Sequence, residues 1–552
     1  MAGAVGTGIG IRLGIRLAGK SQLAFRAGLI CRVTSTRVRR ISSVSAVACP
    51  EAAAPLPATN THPTPTAAVD GGGAGGHKPP DWKKLSSKDL RISTSMIDKP
   101  TRLVLKTLKK KGYQVYLVGG CVRDLILKRI PKDFDVITSA ELKEVSRTFP
   151  RCEIVGKRFP ICRVDVADCI VEVSSFSTVA KQSRSKLNNF TKKPQGCNEH
   201  DYIRWRNCVQ RDFTINGLMF DPFSKIVYDY IGGIEDIKKS RVRTVIPASS
   251  SFTEDCARIL RAVRIAARLG FSFTKETARS LKEFSSLVLT LDKGRILMEM
   301  NYMLAFGAAE ASIRLLWKYG LLEILLPIQA AYFVSLGFRR RDKRSNLLLS
   351  LFANLDKLLA PDRPCHSSLW VSILAFHKAL ADQPRDPLVV ATFCLAVHNG
   401  GCLSEAVCIA KIISQPYDSS FHEVLGPGNL LTDENVMDEV KDLADSVRTA
   451  LSKMTDRAFV SQAMAKYPQA PHSDLVFISM ALQERAEKII SCVTKGREKG
   501  FVPKRSNNIN YESLAVGNLH EVRLMLSRVI FDTIYPPHLK NTNAKHANGR
   551  FT

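Results

Sequence analysis

Apolar residues recur at helical spacing in "RLVLKTLKKKG", Arg102 to Gly112, and predict an amphipathic helix with Gly112 as its C-terminal stop. The unbroken apolar run of "YQVYLVGG" reads as a buried strand, "CVRDLILKR" as a helix, "DFDVITS" as a strand, and "SAELKEVSRTF" as a helix with Ser139 as N-cap. "RVDVADCIVEVSSF" alternates around Ala167-Asp168, as a hairpin would. The polar, basic stretch "STVAKQSRSKLNNFTKKPQGCNEHDYIRWRN" carries no such period and is expected to be a long mobile loop between strands. After about Ser251 the strand signals fade, and "EDCARILRAVRIAARLG", "TKETARSLKEFSSLV", "GRILMEMNYMLAF" and "AAEASIRLLWKYGLLEIL" are all helical in period, with no fixed-length repeat. The order predicts an α+β chain: a mixed-sheet head at 92–250, a helical neck at 251–330, a helical body at 331–500 and a C-terminal tail at 501–552.

The first fifty residues contain no Asp or Glu, while Arg12, Arg16 and Arg26 interleave with Ile, Leu and Phe. That is the composition of an organelle transit peptide, or of a disordered basic arm. A basic amphipathic helix favours a mitochondrial over a chloroplast address. Residues 51–91 open with an Ala-, Pro-, Thr- and Gly-rich run lacking any apolar face and are expected to be a disordered linker.

Charge narrows the class of partner. Among 552 residues Lys plus Arg number 80 against 51 for Asp plus Glu, a net charge of +29 that suggests a polyanion such as RNA. No apolar run approaches the roughly 18–20 residues that cross a bilayer, so a soluble protein with no membrane partner is expected. The fourteen cysteines are scattered, and no structural disulfides are expected in an organelle interior. Cys394, His398, Cys402 and Cys408 fit no common zinc spacing and read as core positions.

The candidate chemistry lies in "VYLVGGCVRDLILKRIPKDFDVITS". Successive strand residues face opposite sides, so Asp133 and Asp135 are expected on one face with Phe134 turned to the core. Two acids on one face repel unless a cation sits between them, and Mg²⁺ takes carboxylates together with substrate phosphates. Glu172 lies within the apolar "CIVEVSSF", where an unliganded charge would cost several kcal/mol. Beside the Asp133 strand it would complete a three-carboxylate set for two metal ions. Gly119-Gly120 allows close backbone approach to a triphosphate, although a tight turn explains the pair equally well.

The set "LVGGCVRDLIL", "KDFDVIT", "VEVSSF", "QRDFTINGLMFD" and "EDCARILRAVRIAARLGF", in that order, resembles the class II tRNA nucleotidyltransferase and poly(A) polymerase family over roughly Val115 to Leu326. The resemblance implies a polymerase-beta-like head and an all-α neck and body. It implies that Asp133, Asp135 and Glu172 bind two Mg²⁺ ions, or Mn²⁺ in their place, and carry catalysis. Nucleotide contacts are implied for Gly119, Gly120, Arg123, Asp124, Arg211, Asp212, Asn216, Asp255, Arg258 and Arg261. Asp255 and Arg258, three apart and therefore expected on one helix face, would read the base: Asp accepts from the exocyclic amine of adenine or cytosine, and Arg donates to the ring nitrogen beside it.

"IVGKRFPICRV", Ile154 to Val164, resembles the run after the DxD strand of the bacterial-type poly(A) polymerase branch, with Arg163 where that branch usually has His and Gln210 where it has Arg. Template-independent transfer of AMP from ATP to the 3′ ends of RNA, mRNA-like or tRNA, is the favoured expectation. CCA addition to tRNA and a non-catalytic RNA-binding protein on the same fold are the alternatives. Basic clusters at Arg339, Arg340, Arg341, Lys343 and Arg344, at "RSKLNNFTKK" and at "TKGREKGFVPKR" are candidate RNA-backbone contacts.

Overall fold

The computed structural model describes residues 82–156, 160–167, 169–178, 193–194, 196–426, 428, 432–504 and 506–539. The expected transit segment and most of "RSKLNNFTKK" lie outside them. Eight strands form one sheet: β1 (Lys83–Ser86), β2 (Val115–Val118), β3 (Asp135–Thr138), β4 (Cys152–Val155), β5 (Ile161–Val166), β6 (Cys169–Ser175), β7 (Leu218–Asp221) and β8 (Ile226–Asp229). Their spatial order is β1-β8-β7-β2-β3-β6-β5-β4. Neighbours run antiparallel except β3 and β6, which are parallel.

One sheet face is sealed by α1 (Lys99–Lys110) and α3 (Leu142–Thr148), with Val104, Leu105, Leu108 and Val145 packed over Leu117, Val136, Val164 and Val173. The short helix α2 (Gly120–Ile126) leaves the end of β2 directly. Asp98 caps α1 by accepting from the Thr101 amide at 2.8 Å, and Gly112 ends it with φ of 87°. The opposite face carries Tyr116, Val118, Ile137, Met219 and Tyr228, covered by Cys208 of α4 (Glu199–Val209). Buried Arg204 of α4 fastens this layer, donating to the hydroxyls of Tyr230 at 2.7 Å and Tyr116 at 2.9 Å and to Asp201 at 2.7 Å. Neutral aromatic hydroxyls and a carboxylate thus satisfy a guanidinium that would otherwise be costly to bury.

Several expectations need correction. The linker placed at 51–91 ends early, because Lys83–Ser86 pairs antiparallel with β8 at the sheet edge. The loop placed between Ser177 and Asn207 contains α4, whose polar surface hides a buried Asp201–Arg204 pair that periodicity does not show. Helix α3 starts at Leu142 rather than after Ser139, since Glu141 and Glu144 form a capping box.

Past the sheet come α5 (Gly233–Lys238), α6 (Ala248–Glu254), α7 (Ala257–Leu269), α8 (Lys275–Glu283), α9 (Lys293–Leu304) and α10 (Ala309–Lys318). A two-stranded parallel ladder, Arg241–Val242 with Ser272–Phe273, interrupts this helical region. The expected boundary at 330 falls inside a helix, Pro327–Ser335. The body packs long helices, among them Ser367–Asp382, Pro387–Asn399, Asp433–Thr455 and Met480–Lys495. The segment expected as a tail is core: helix Leu519–Ile534 buries Val522, Met525, Val529 and Ile530 against Pro387–Asn399. Among the described residues no helix is long and apolar enough to cross a membrane.

Candidate active site

The parallel pairing of β3 with β6 sets Asp135 opposite Glu172. The same row continues across the sheet: Val118 flanks Asp135 on β2, Arg163 lies opposite Glu172 on β5, and Glu153 lies opposite Arg163 on β4. Side chains in one row share a face, and neighbouring strands are about 4.8 Å apart. An acid–acid–base–acid sequence of side chains therefore crosses the face that carries Tyr116 and Tyr228.

Two expectations about these acids change. Asp133 is not on the strand; it is exposed in the turn before β3, while Phe134 is buried as expected. Glu172 is exposed too, because β6 alternates Val171 and Val173 inward with Ile170 and Glu172 outward. Its apolar neighbours in sequence occupy the other side of the strand. Burial, reinforced by the carboxylates of Glu172 and Asp133, pushes the Asp135 carboxyl up to about 6 against the opposing pull of Arg211 and Arg261. Asp135 and Glu172 are therefore side by side on one sheet face, and Asp133 lies near enough to Asp135 to act on its charge.

Among the described residues no three His, Cys, Asp or Glu side chains converge into a ready-made metal cage. Carboxylate oxygens nonetheless suit a hard divalent cation, and Mg²⁺ is commonly held by one or two carboxylates with phosphates and water completing its shell. Asp135, with Asp133 or Glu172, is the pair that would hold it.

Gly119 gives the acid its neighbour. Its φ is 80°, and a Cβ there would lie 3.3 Å from both Asp135 Oδ2 and Arg211 Nη1. Only glycine tolerates this backbone while leaving the two charged groups room. Among the described residues no carboxylate forms an ion pair with Arg211, so its guanidinium remains open to an anion beside the acids. Helix α2 is seven residues long, so the anion-binding character here rests on Arg211 more than on a helix terminus.

Of the other expected nucleotide contacts, Arg123, Asp124, Asp212, Asn216 and Arg261 form a polar chain. Arg123 donates to Asp124 at 2.7 and 2.9 Å and to Asn216 Oδ1 at 2.6 Å. Asn216 donates to Asp212 at 3.0 Å, and Arg261 donates to Asp212 Oδ2 through Nε at 3.0 Å and Nη2 at 2.8 Å. Burial tends to raise the Asp212 pKa, but Arg261, Asn216 and the Phe213 amide hold it below the usual carboxylate range. This chain ties α2, the "RDFTIN" turn and α7 together, so Arg123, Asp124, Asp212 and Asn216 act first as braces for the site. The link from Arg123 to Asn216 joins residues 93 apart in sequence and leaves no local signal. Gly217 closes the turn, since a Cβ there would come within 2.1 Å of Ile231 Cδ1.

Asp255 and Arg258 do not share a helix face. Asp255 sits extended (φ −147°) in the break between α6 and α7 and accepts from the Ala257 amide at 3.1 Å. Arg258 points back to α6, donating to Glu254 at 2.9 Å and Ser251 Oγ at 3.0 Å.

The basic loop after Pro327–Ser335 divides by role. Arg340 lies over the Trp317 ring at 3.8 Å and pairs with fully buried Glu323, while Arg344 is clamped by Asp342. Trp317 Nε1 and Arg314 bind the carbonyls of Arg339, Asp342 and Arg344, which fixes the loop backbone. Arg339, Arg341 and Lys343 are exposed and line a shallow basic concavity. Cys394 is buried, Cys408 is exposed, and His398 Nε2 lies 3.2 Å from the Lys504 carbonyl, so these groups are spent on packing and surface rather than on one centre.

Residues 115–243 match the poly(A) polymerase head domain, and residues 270–333 match the probable RNA- and SrmB-binding site of polymerase A. Poly(A) polymerase I of Haemophilus influenzae is 32% identical over 257 residues, 46% of this chain and 57% of that protein. A CCA-adding enzyme of Geobacillus thermodenitrificans is 34% identical over 221 residues, 40% of this chain and 52% of that protein. The chain thus spans about half the length of the curated relatives it matches. Among solved structures, the CCA-adding enzyme of Bacillus stearothermophilus in complex with CTP aligns with a TM-score of 0.40 and 22% identity, over 72% of this chain and 94% of that one. In its head and in the helical segment after it, the chain is thus similar to bacterial poly(A) polymerases and CCA-adding enzymes.

Proposed function

We propose that the chain transfers AMP from ATP to RNA 3′ ends without a template. The observation that carries this reading is the Asp135–Glu172 row with Asp133 and Arg211 beside it. Two divalent ions, when bound, would lower the pKa of the attacking 3′-hydroxyl and neutralise charge on the departing pyrophosphate. Asp135 and its acidic neighbours supply the oxygen ligands. Arg211, which forms no ion pair among the described residues and lies next to Gly119, orients the polyphosphate, and the Asp124–Arg123–Asn216–Asp212–Arg261 chain keeps α7 at a fixed distance from the acids. Such positioning is most of what phosphoryl transfer asks of a protein.

AMP addition is preferred over CCA addition because "IVGKRFPICRV" resembles the poly(A) polymerase branch. The test is extension by the full chain, with Mg²⁺ and each nucleoside triphosphate singly, of a generic RNA and of a tRNA lacking CCA. Long A-only tails on the generic RNA are expected; two C and one A confined to the tRNA would assign CCA addition. The proposed organelle address is tested by fusing residues 1–80 to a fluorescent reporter, where a diffuse cytosolic signal would refute it.

A further inference from the structure

A second cluster lies beside the acids and takes no part in the arrangement above. Tyr302 of α9 and Phe306 just after it are tilted at 49° with ring centroids 5.2 Å apart, and both are partly exposed. Three cation contacts converge on this pair: Lys132 Nζ lies 5.5 Å from the Tyr302 centroid and 5.3 Å from Phe306, and Arg264 of α7 lies 5.1 Å from Tyr302. Lys132 is the residue before Asp133, one Cα–Cα step of about 3.8 Å away. Arg264 is held in place by Glu299, itself buried, which accepts from its Nε at 2.8 Å. Arg261, one turn earlier on α7, binds Asp212, so one helix connects the cluster to the brace of the active site.

We propose that Tyr302 and Phe306, with Lys132 and Arg264, form a stacking platform for the 3′-terminal nucleotides of single-stranded RNA. This rests on the transferase reading above. Every base offers a π-face to an aromatic ring, and cations beside the rings match the phosphates that link successive bases. The charge pattern selects a polymer over the incoming nucleotide. A mononucleotide's phosphates are met at Arg211 and the acids, whereas a separate set of cations around aromatic rings calls for further phosphates. Arg268, next along the helix, extends the positive stripe toward Arg123 and Arg129: its pKa is lowered first by burial and further by those two charges and Arg264, with Asp124 opposing.

The experiment uses the full chain without divalent ion, so that no turnover occurs, and an oligoadenylate carrying 2-aminopurine at its 3′ end. Binding is expected to quench the 2-aminopurine by stacking. Tyr302→Leu and Phe306→Leu are expected to weaken oligonucleotide affinity about tenfold each and relieve the quench, while Tyr302→Phe retains both. Lys132→Ala, an exposed change that leaves the fold intact, is expected to flatten the log–log salt dependence of binding by about 0.7. In the extension assay the KM for RNA should rise and the KM for ATP should not. Unchanged affinity and quench in both leucine variants would overturn the proposal, as would a rise confined to the KM for ATP, which would assign the rings to the incoming base. A wild-type chain that quenches the oligonucleotide but extends no RNA with Mg²⁺ and ATP would refute the transferase reading and leave the platform standing.

Discussion

Asp135 faces Glu172 across the one parallel strand pair of the sheet, and Arg163 faces Glu172 from the other side. The register makes a charged row in which Asp135 is pushed toward its neutral form, first by burial and then by the neighbouring carboxylates. A divalent cation would oppose that shift, which is why the pair reads as a cation-holding device.

Asp135→Asn keeps the shape of the side chain but removes its charge. Transfer is expected to fall by about a hundredfold or more while RNA affinity stays within about twofold, measured by single-turnover extension and by anisotropy. Equal activity in this variant would end the metal-dependent proposal.

Arg211 and Asp212 are adjacent in sequence and differ in duty. Arg211→Ala is expected to raise the KM for ATP with little change in melting temperature. Asp212→Ala leaves Asn216 and Arg261 without their shared acceptor and is expected to cost about 2–3 kcal/mol of stability as well as activity, read from denaturant unfolding.

Arg523 is fully buried and binds Glu498 at 2.7 Å and the carbonyls of Ile489 at 2.9 Å and Lys488 at 3.0 Å. Arg523→Ala strands all three acceptors. A loss of about 3 kcal/mol in unfolding free energy is expected, with unfolding starting in the body helices.

His377 is buried edge-on to Tyr332 at 4.3 Å, and among the described residues neither of its ring nitrogens has a hydrogen-bond partner. Burial first, then the charges of Lys378 and His422, lowers its pKa to about 3. The unfolded chain takes up a proton near pH 6.5 and the folded chain does not until about pH 3, so stability is complete above pH 6.5 and declines as the pH falls toward 3. The decline amounts to roughly 4–5 kcal/mol. His377→Leu is expected to flatten the pH dependence of the unfolding midpoint in that window.

Arg339, Arg341 and Lys343 are exposed on the braced loop and form no ion pair among the described residues. Their joint replacement by Ala is expected to reduce the salt slope of RNA binding by up to about 2 without affecting melting. Arg340→Ala is expected to lower the melting temperature instead, since it leaves buried Glu323 unpaired.

Strand β2, helix α1 and the β5–β6 hairpin were legible because hydrophobic period is a local property, and the five motifs carried the resemblance that pointed to Asp133, Asp135 and Glu172. Which duty each charged residue has was a tertiary decision. Glu172 looks buried beside Val171 and Val173 yet is exposed, because strand neighbours face opposite ways. Asp255 and Arg258 are separated by a helix break that spacing does not announce. The union of Arg123 with Asn216, and of Lys132 with Tyr302 and Phe306, depends on chain segments distant in sequence meeting in space. Local pattern therefore indicated many of the elements and the candidate chemistry. Only the packing of those elements determined which charges neutralise one another inside the fold and which remain free to meet a nucleotide or an RNA end.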